Sequence, residues 1–171
     1  GSADLTIDAG AINTFTDYTV TNTGKVTYNN TTSVKTFNAS ANTAGIVGKD
    51  INNTATLNNG TTSDVLTMAS NGSLIQTGSG ADNINVNSSA LLSTSSAIIK
   101  LGDGNDKLNL SGVGTAGEYI YAEAGDDTIY VGGILTATDL IDGGTGTDTV
   151  NFATGTHSLI ARGIEKVGME A

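Results

Sequence analysis

Short apolar strings recur through the second half of the chain with the two-residue alternation of half-buried β-strands. They read Ser73-Leu74-Ile75-Gln76 and Asn83-Ile84-Asn85-Val86, then Ala97-Ile98-Ile99-Lys100 and Lys107-Leu108-Asn109-Leu110. Glu118-Tyr119-Ile120-Tyr121 is followed by Thr128-Ile129-Tyr130-Val131, and Thr138-Asp139-Leu140-Ile141 by Thr149-Val150-Asn151-Phe152. Each cycle is strand, Gly/Asp turn, strand and loop, and no stretch sustains a 3.6-residue period. Residues 3–70 carry shorter alternating strings, Asp4-Leu5-Thr6-Ile7-Asp8, Tyr18-Thr19-Val20 and Lys25-Val26-Thr27-Tyr28, in an Asn/Thr-rich background. A more irregular β-rich region is expected there.

Composition narrows what such strands can build. Leu, Ile, Val and Phe make up 39 of 171 residues and aromatics 5%, so a thick core is excluded. The apolar fraction lies just above the ~20% below which a charged chain stays unfolded. Twenty-three Gly imply many tight turns. A thin all-β structure on a narrow aliphatic ribbon, held by something besides burial, fits these values. With no Cys there are no disulfides or thiolate sites, and a single His excludes centres that need two imidazoles. A pI near 4.1 with seven Lys and Arg argues against nucleic acid. No apolar run approaches the ~20 residues that span a bilayer. Gly1-Ser2 reads as an expression scar, and the lack of a starting Met favours a fragment.

The charge of -10 is uneven. Residues 82–148 hold ten of the seventeen acids against only Lys100 and Lys107, a net -8; residues 1–81 carry -2 and the remainder is neutral. The acids are phased with the turns, which align as TGSGADNIN (77–85), LGDGNDKLN (101–109), AEAGDDTIY (122–130) and GGTGTDTVN (143–151). Each has Gly at its fourth position, Asp at its sixth and an aliphatic residue at its eighth. An earlier segment, NGTTSDVLT (59–67), keeps Gly60, Asp64 and Leu66 but lacks the fourth-position Gly, and reads as a decayed copy.

These turns resemble the GGxGxDxUx nonapeptide of the RTX calcium-binding β-rolls. The last copy fits at every defined position; the third has Ala122 and Glu123 where Gly is expected. The resemblance covers roughly residues 73–152. It implies an all-β, right-handed parallel β-roll or β-helix solenoid with calcium-binding turns along one edge. The expected layout is residues 3–70 as the irregular β-rich part, 71–152 as the calcium-binding roll and 153–171 as closing strands, including Gly163-Ile164-Glu165-Lys166-Val167.

The chemistry suits these residues. Gly reaches backbone angles that aim successive carbonyls at one centre, and a following Asp adds a hard anionic oxygen. Calcium accepts about six to eight such oxygens with irregular geometry. The expected side-chain ligands are Asp82, Asp106, Asp127 and Asp148. Carbonyls come from Gly78, Gly80, Gly102, Gly104, Gly125, Gly144 and Gly146, with Glu123 replacing a carbonyl by its side chain. Asp103, Asp126 and Asp142 lie in the turns as ligands or as solvated residues. The four main Asp are spaced by 24, 21 and 21 residues, one motif per coil, so the resemblance implies metals in a ladder along one edge only. Loops 87–96, 111–117 and 132–137 make the other edge. Parallel strands stack about 4.8 Å apart, and two carboxylates at roughly 5 Å repel by about 3 kcal/mol at an effective dielectric of 20. Several such pairs rival the stability of a small domain, so several calcium ions are expected, with residues 70–152 largely unfolded without them.

The stretch Ser33-Val34-Lys35-Thr36-Phe37-Asn38-Ala39-Ser40-Ala41 resembles a phrase of bacterial S-layer proteins that end in RTX repeats. The combined resemblance implies a Gram-negative surface protein, secreted by a type I system, folding on calcium outside the cell and assembling with copies of itself. A calcium-stiffened adhesin region and the secretion or folding domain of an RTX exoenzyme or toxin are the alternatives. No enzyme is expected: His157 reads as a loop or edge-strand residue, and no spacing supports a triad with Ser158.

Overall fold

In a computed structural model the described residues are 3–8, 17–21, 24–38, 46–56, 65–68, 74–86, 97–110, 117–133 and 135–169. They form a parallel β-solenoid, with no helix among them. One stack contains β1 (Leu5–Asp8), the first part of β3 (Val26–Asn38), the first part of β4 (Ile46–Thr56) and β5 (Val65–Met68). It continues through β7 (Asn83–Val86), β9 (Lys107–Leu110), β11 (Thr128–Val131), β13 (Thr149–Phe152) and β15 (Lys166–Met169). The other contains β2 (Asp17–Thr19), the later parts of β3 and β4, β6 (Leu74–Gln76), β8 (Ala97–Asp103), β10 (Glu118–Ala124), β12 (Leu140–Asp142) and β14 (Ile160–Arg162).

Every pairing is parallel, and each strand pairs with the strand one coil away, as expected when successive coils repeat the same path. β3 and β4 each run from one stack into the other, and their mutual register shifts between Asn29 and Val34 and again between Val34 and Thr36. The same coil path therefore extends through the N-terminal part, with local irregularity at the edge. The decayed turn copy at 59–64 lies outside the described residues, but Leu66 stands in register with Ile84.

Period-two alternation explains the core. Ile84, Leu108, Ile129 and Val150 are in register and buried, as are Val86, Leu110, Val131 and Phe152 on the same strands. Ile75, Ile99, Ile120 and Ile141 face them from the opposite stack. The interior is a few aliphatic side chains wide, in keeping with the low aromatic content. At the last coil Val167 and Met169 continue the rows of Val150 and Phe152, yet are 68% and 58% exposed.

The turns stack as tightly as the strands. At Gly125 the backbone has φ +136°, and a Cβ there would lie 1.9 Å from the Gly104 carbonyl oxygen of the preceding coil. Neither the angle nor the distance admits a side chain. Gly125→Ala is expected to destabilise the protein by about 3–5 kcal/mol, combining backbone strain with overpacking. Thermal denaturation in calcium measures it; a loss below about 1 kcal/mol would show that the coils are not in such close register.

Candidate metal-binding ladder

The turn residues 77–82, 101–106, 122–127 and 143–148 superpose coil on coil along one edge. In each, the second and fourth positions take positive φ: Gly78 and Gly80, Gly102 and Gly104, Glu123 and Gly125, Gly144 and Gly146. Glu123 does so at φ 77°, so the degraded copy keeps the backbone path of its neighbours. The turns are hydrogen-bonded to one another through the backbone. Asp103 N–H donates to the Gly78 carbonyl at 2.9 Å, and Thr145 N–H to that of Glu123 at 2.8 Å. Gly104 N–H donates to the Ala124 carbonyl at 2.6 Å and Gly125 N–H to Thr145 at 2.8 Å. The glycines are thus required by the stacking itself, whatever else their carbonyls hold.

The sixth-position Asp residues turn inward. Asp82, Asp106, Asp127 and Asp148 are each 1% exposed and close the end of the aliphatic core. They form a ladder. Asp82 N–H donates to Asp106 Oδ1 at 2.7 Å, Asp106 N–H to Asp127 Oδ1 at 2.7 Å, and Asp127 N–H to Asp148 Oδ1 at 2.8 Å. Asp148 N–H donates to Glu165 Oε2 at 2.8 Å. This last rung spans 17 residues rather than 21, and the longer glutamate side chain makes up the difference.

The three rungs that end on Asp use one carboxylate oxygen and leave the other. The Oδ2 atoms of Asp106, Asp127 and Asp148 are buried without a hydrogen-bond partner. Burial is the main cause that pushes the Asp106 carboxyl up to about 7; the Asp82 N–H opposes it, and Asp82, Asp127 and Asp103 add repulsion. Asp127 is likewise pushed up to about 7, first by burial, then by Asp148 and Asp126 against the Asp106 N–H. Asp148 is raised by burial and by Glu165. Among the described residues no Lys or Arg contributes to any of the three. A buried column of carboxylates with no cationic side chain needs either protons or bound cations.

The other acids of the turns have different surroundings. Asp126 is exposed and belongs to an outer ladder, its Oδ1 accepting from Thr147 N–H at 2.9 Å while its own N–H donates to Asn105 Oδ1 at 2.9 Å. Asp142 Oδ1 accepts from Gly144 N–H at 3.2 Å within its own turn. Asp103 and Glu123 are exposed, and Glu123 lines an outer groove with Ile98 and Lys100. Among the described residues no three His, Cys, Asp or Glu side chains converge on one point. Any cation held here would have to draw on carboxylates of the column together with backbone or water oxygens.

Two features escape a reading of the turn repeat. Glu165 is one, since nothing in GIEKV resembles a turn copy. The other lies on the opposite edge, where Glu118 N–H donates to Asp139 Oδ1 at 2.8 Å and both residues are 1% exposed. Asp139 also accepts from Thr136 N–H through Oδ2. The 21-residue spacing of Glu118 and Asp139, the same as that of Asp106 and Asp127, is the signal that could have found them. His157 packs its ring 4.6 Å from that of Phe152, receives Leu135 N–H at Nδ1 (3.4 Å) and approaches the Ala153 carbonyl through Nε2 (3.0 Å). Both nitrogens are engaged in tying loops together.

Comparison with protein-family models, curated proteins and solved structures returns no match.

Proposed function

We propose that the chain is a calcium-binding structural solenoid of the RTX type, a segment of a secreted bacterial surface protein that folds when the Asp column takes up its cations. The observation that carries this reading is the buried, in-register column of Asp106, Asp127 and Asp148, each with an unsatisfied Oδ2. With Asp82 in the same register, these carboxylates would hold the ions. Calcium supplies the positive charge that the column lacks and bridges successive coils. Hard oxygen donors in irregular geometry suit it; magnesium demands a near-octahedral shell and keeps several waters, which a buried edge does not accommodate.

The extracellular setting follows from the same chemistry. A chain that orders only at high calcium stays unfolded where the ion is scarce and folds where it is plentiful, which suits export of an unfolded chain. The thin, elongated core and the polar Asn/Thr-rich surface favour a structural role in a surface layer over catalysis. Far-UV circular dichroism of metal-free protein at pH 8, before and after addition of millimolar calcium, tests the reading. A large gain of β-sheet signal is expected. Identical spectra in both conditions would remove calcium from the proposal.

A further inference from the structure

The outer faces of the two stacks differ in chemistry. On β9, β11 and β13 the outward row reads Lys107, Thr128 and Thr149, continued by Lys166. On the other stack the corresponding row is Leu74, Ile98, Tyr119, Leu140 and Ile160, in register across five successive coils. Ile98, Tyr119 and Ile160 are 38%, 37% and 51% exposed. At about 4.8 Å per coil the stripe is some 19 Å long. Two residues along each strand lies a second outward row, in the order Gln76, Lys100, Tyr121, Asp142 and Arg162, so that a two-fold axis along β10 sets Arg162 opposite the uncharged Gln76 and leaves Lys100 and Asp142 as the charge pair.

The order of charges in that second row selects an occupant. We propose that this face is a two-fold interface between two copies of the chain, with the axis lying in the interface plane along β10. Such an axis reverses the order of coils and keeps position along the strand. Lys100 then faces the second copy's Asp142, and Asp142 its Lys100. Ile98 faces Leu140, Tyr119 faces Tyr119, and apolar stripe covers apolar stripe. A two-fold axis along the stack would keep the order of coils and leave Lys100 and Asp142 without opposite charges. The surface is self-complementary in the sense that an isologous contact requires. A depression of about 460 Å³, lined by Ile98, Lys100, Tyr121, Glu123, Asp142 and Gly144, lies within this face.

The interface rests on the outer face and goes beyond the metal reading, which concerns the interior of the edge. With an apolar stripe only some 19 Å long, a weak contact is expected, with a dissociation constant on the order of 0.1–1 mM. Sedimentation equilibrium in calcium, on samples whose circular dichroism shows them folded, tests it and separates failure to fold from failure to associate. Wild type is expected to dimerise. Lys100→Asp and Asp142→Lys should each weaken dimerisation at least about tenfold by placing like charges together, and the double variant should restore it. Tyr119→Ser should weaken it as well. A folded wild type that stays monomeric at about 2 mM overturns the interface, as do single reversals that dimerise like wild type.

Discussion

Metal-free protein is expected to gain stability when the pH falls from about 8 to about 5, the reverse of ordinary acid denaturation. Asp106 and Asp127 are held at about 7 in the folded chain, chiefly by burial, whereas an unfolded Asp titrates near 3.8. Between these values the folded state binds protons that the unfolded state releases. The protonated column is therefore fully stabilising below the unfolded value, and that contribution is lost as pH rises through about 7. The two residues are neighbours in one column and titrate together, so the gain on acidification belongs to the pair. Calcium inverts the dependence: protons compete with the ion for Oδ2, and acidification then weakens the folded state. Thermal melts followed by circular dichroism across this pH range, metal-free and in millimolar calcium, should slope in opposite directions. A metal-free protein whose melting temperature falls steadily from pH 7 to 5 would show that the column is not a buried charge.

The second large effect is expected from Asp106→Asn combined with Asp127→Asn. Asn keeps an Oδ1 acceptor for the N–H groups of Asp82 and Asp106, so both rungs survive. It replaces an unsatisfied anionic oxygen by a neutral amide, whose burial costs less than that of a charge. The double variant should thus fold more readily than wild type without metal, by about 2 kcal/mol or more, and respond little to calcium. Ala at the same positions behaves differently. It removes the acceptor as well, strands two buried N–H groups, and costs about 1–3 kcal/mol per rung with or without the ion. Denaturant titrations of the Asn and Ala variants, each with and without calcium, distinguish a charge that needs a cation from an acceptor that merely caps a backbone.

The strand positions are legible in the sequence because alternation is a local property. Asn83–Val86, Lys107–Leu110, Thr128–Val131 and Thr149–Phe152 are strands with the bounds that the apolar strings mark. Where bounds differ, stacking decides. The strings at 97–100 and 118–121 continue into the turns as strands 97–103 and 118–124, because Gly102 and Asp103 pair with Glu123 and Ala124 of the next coil. The string at 138–141 starts late, at Leu140, because the Asp139 carboxylate is turned into the edge to accept from Glu118 and Thr136. In the N-terminal part the strings at Leu5 and Tyr18 are short strands of their own, whereas those at Val26 and Val34 belong to one long strand that rounds an edge, and single-strand patterns carry no mark of that.

The candidate site is legible in part. The turn repeat marks Asp82, Asp106, Asp127 and Asp148, but not that they point inward, since charged residues in Gly-rich turns usually face solvent. Their burial follows from a partner one coil away, a contact encoded only by the 21- and 24-residue spacings. Glu165 belongs to no repeat and emerges only when the coils are stacked, whereas the Glu118–Asp139 pair is marked in the sequence by its 21-residue spacing alone.

Calcium bound at equilibrium, counted by native mass spectrometry on wild type and on the Asp106→Asn/Asp127→Asn variant, tests the column most directly. Wild type should carry several ions and the double variant fewer, although its coils remain folded. Wild type without bound calcium, or a variant that binds as many ions as wild type, would contradict the assignment of the Asp column as the cation site.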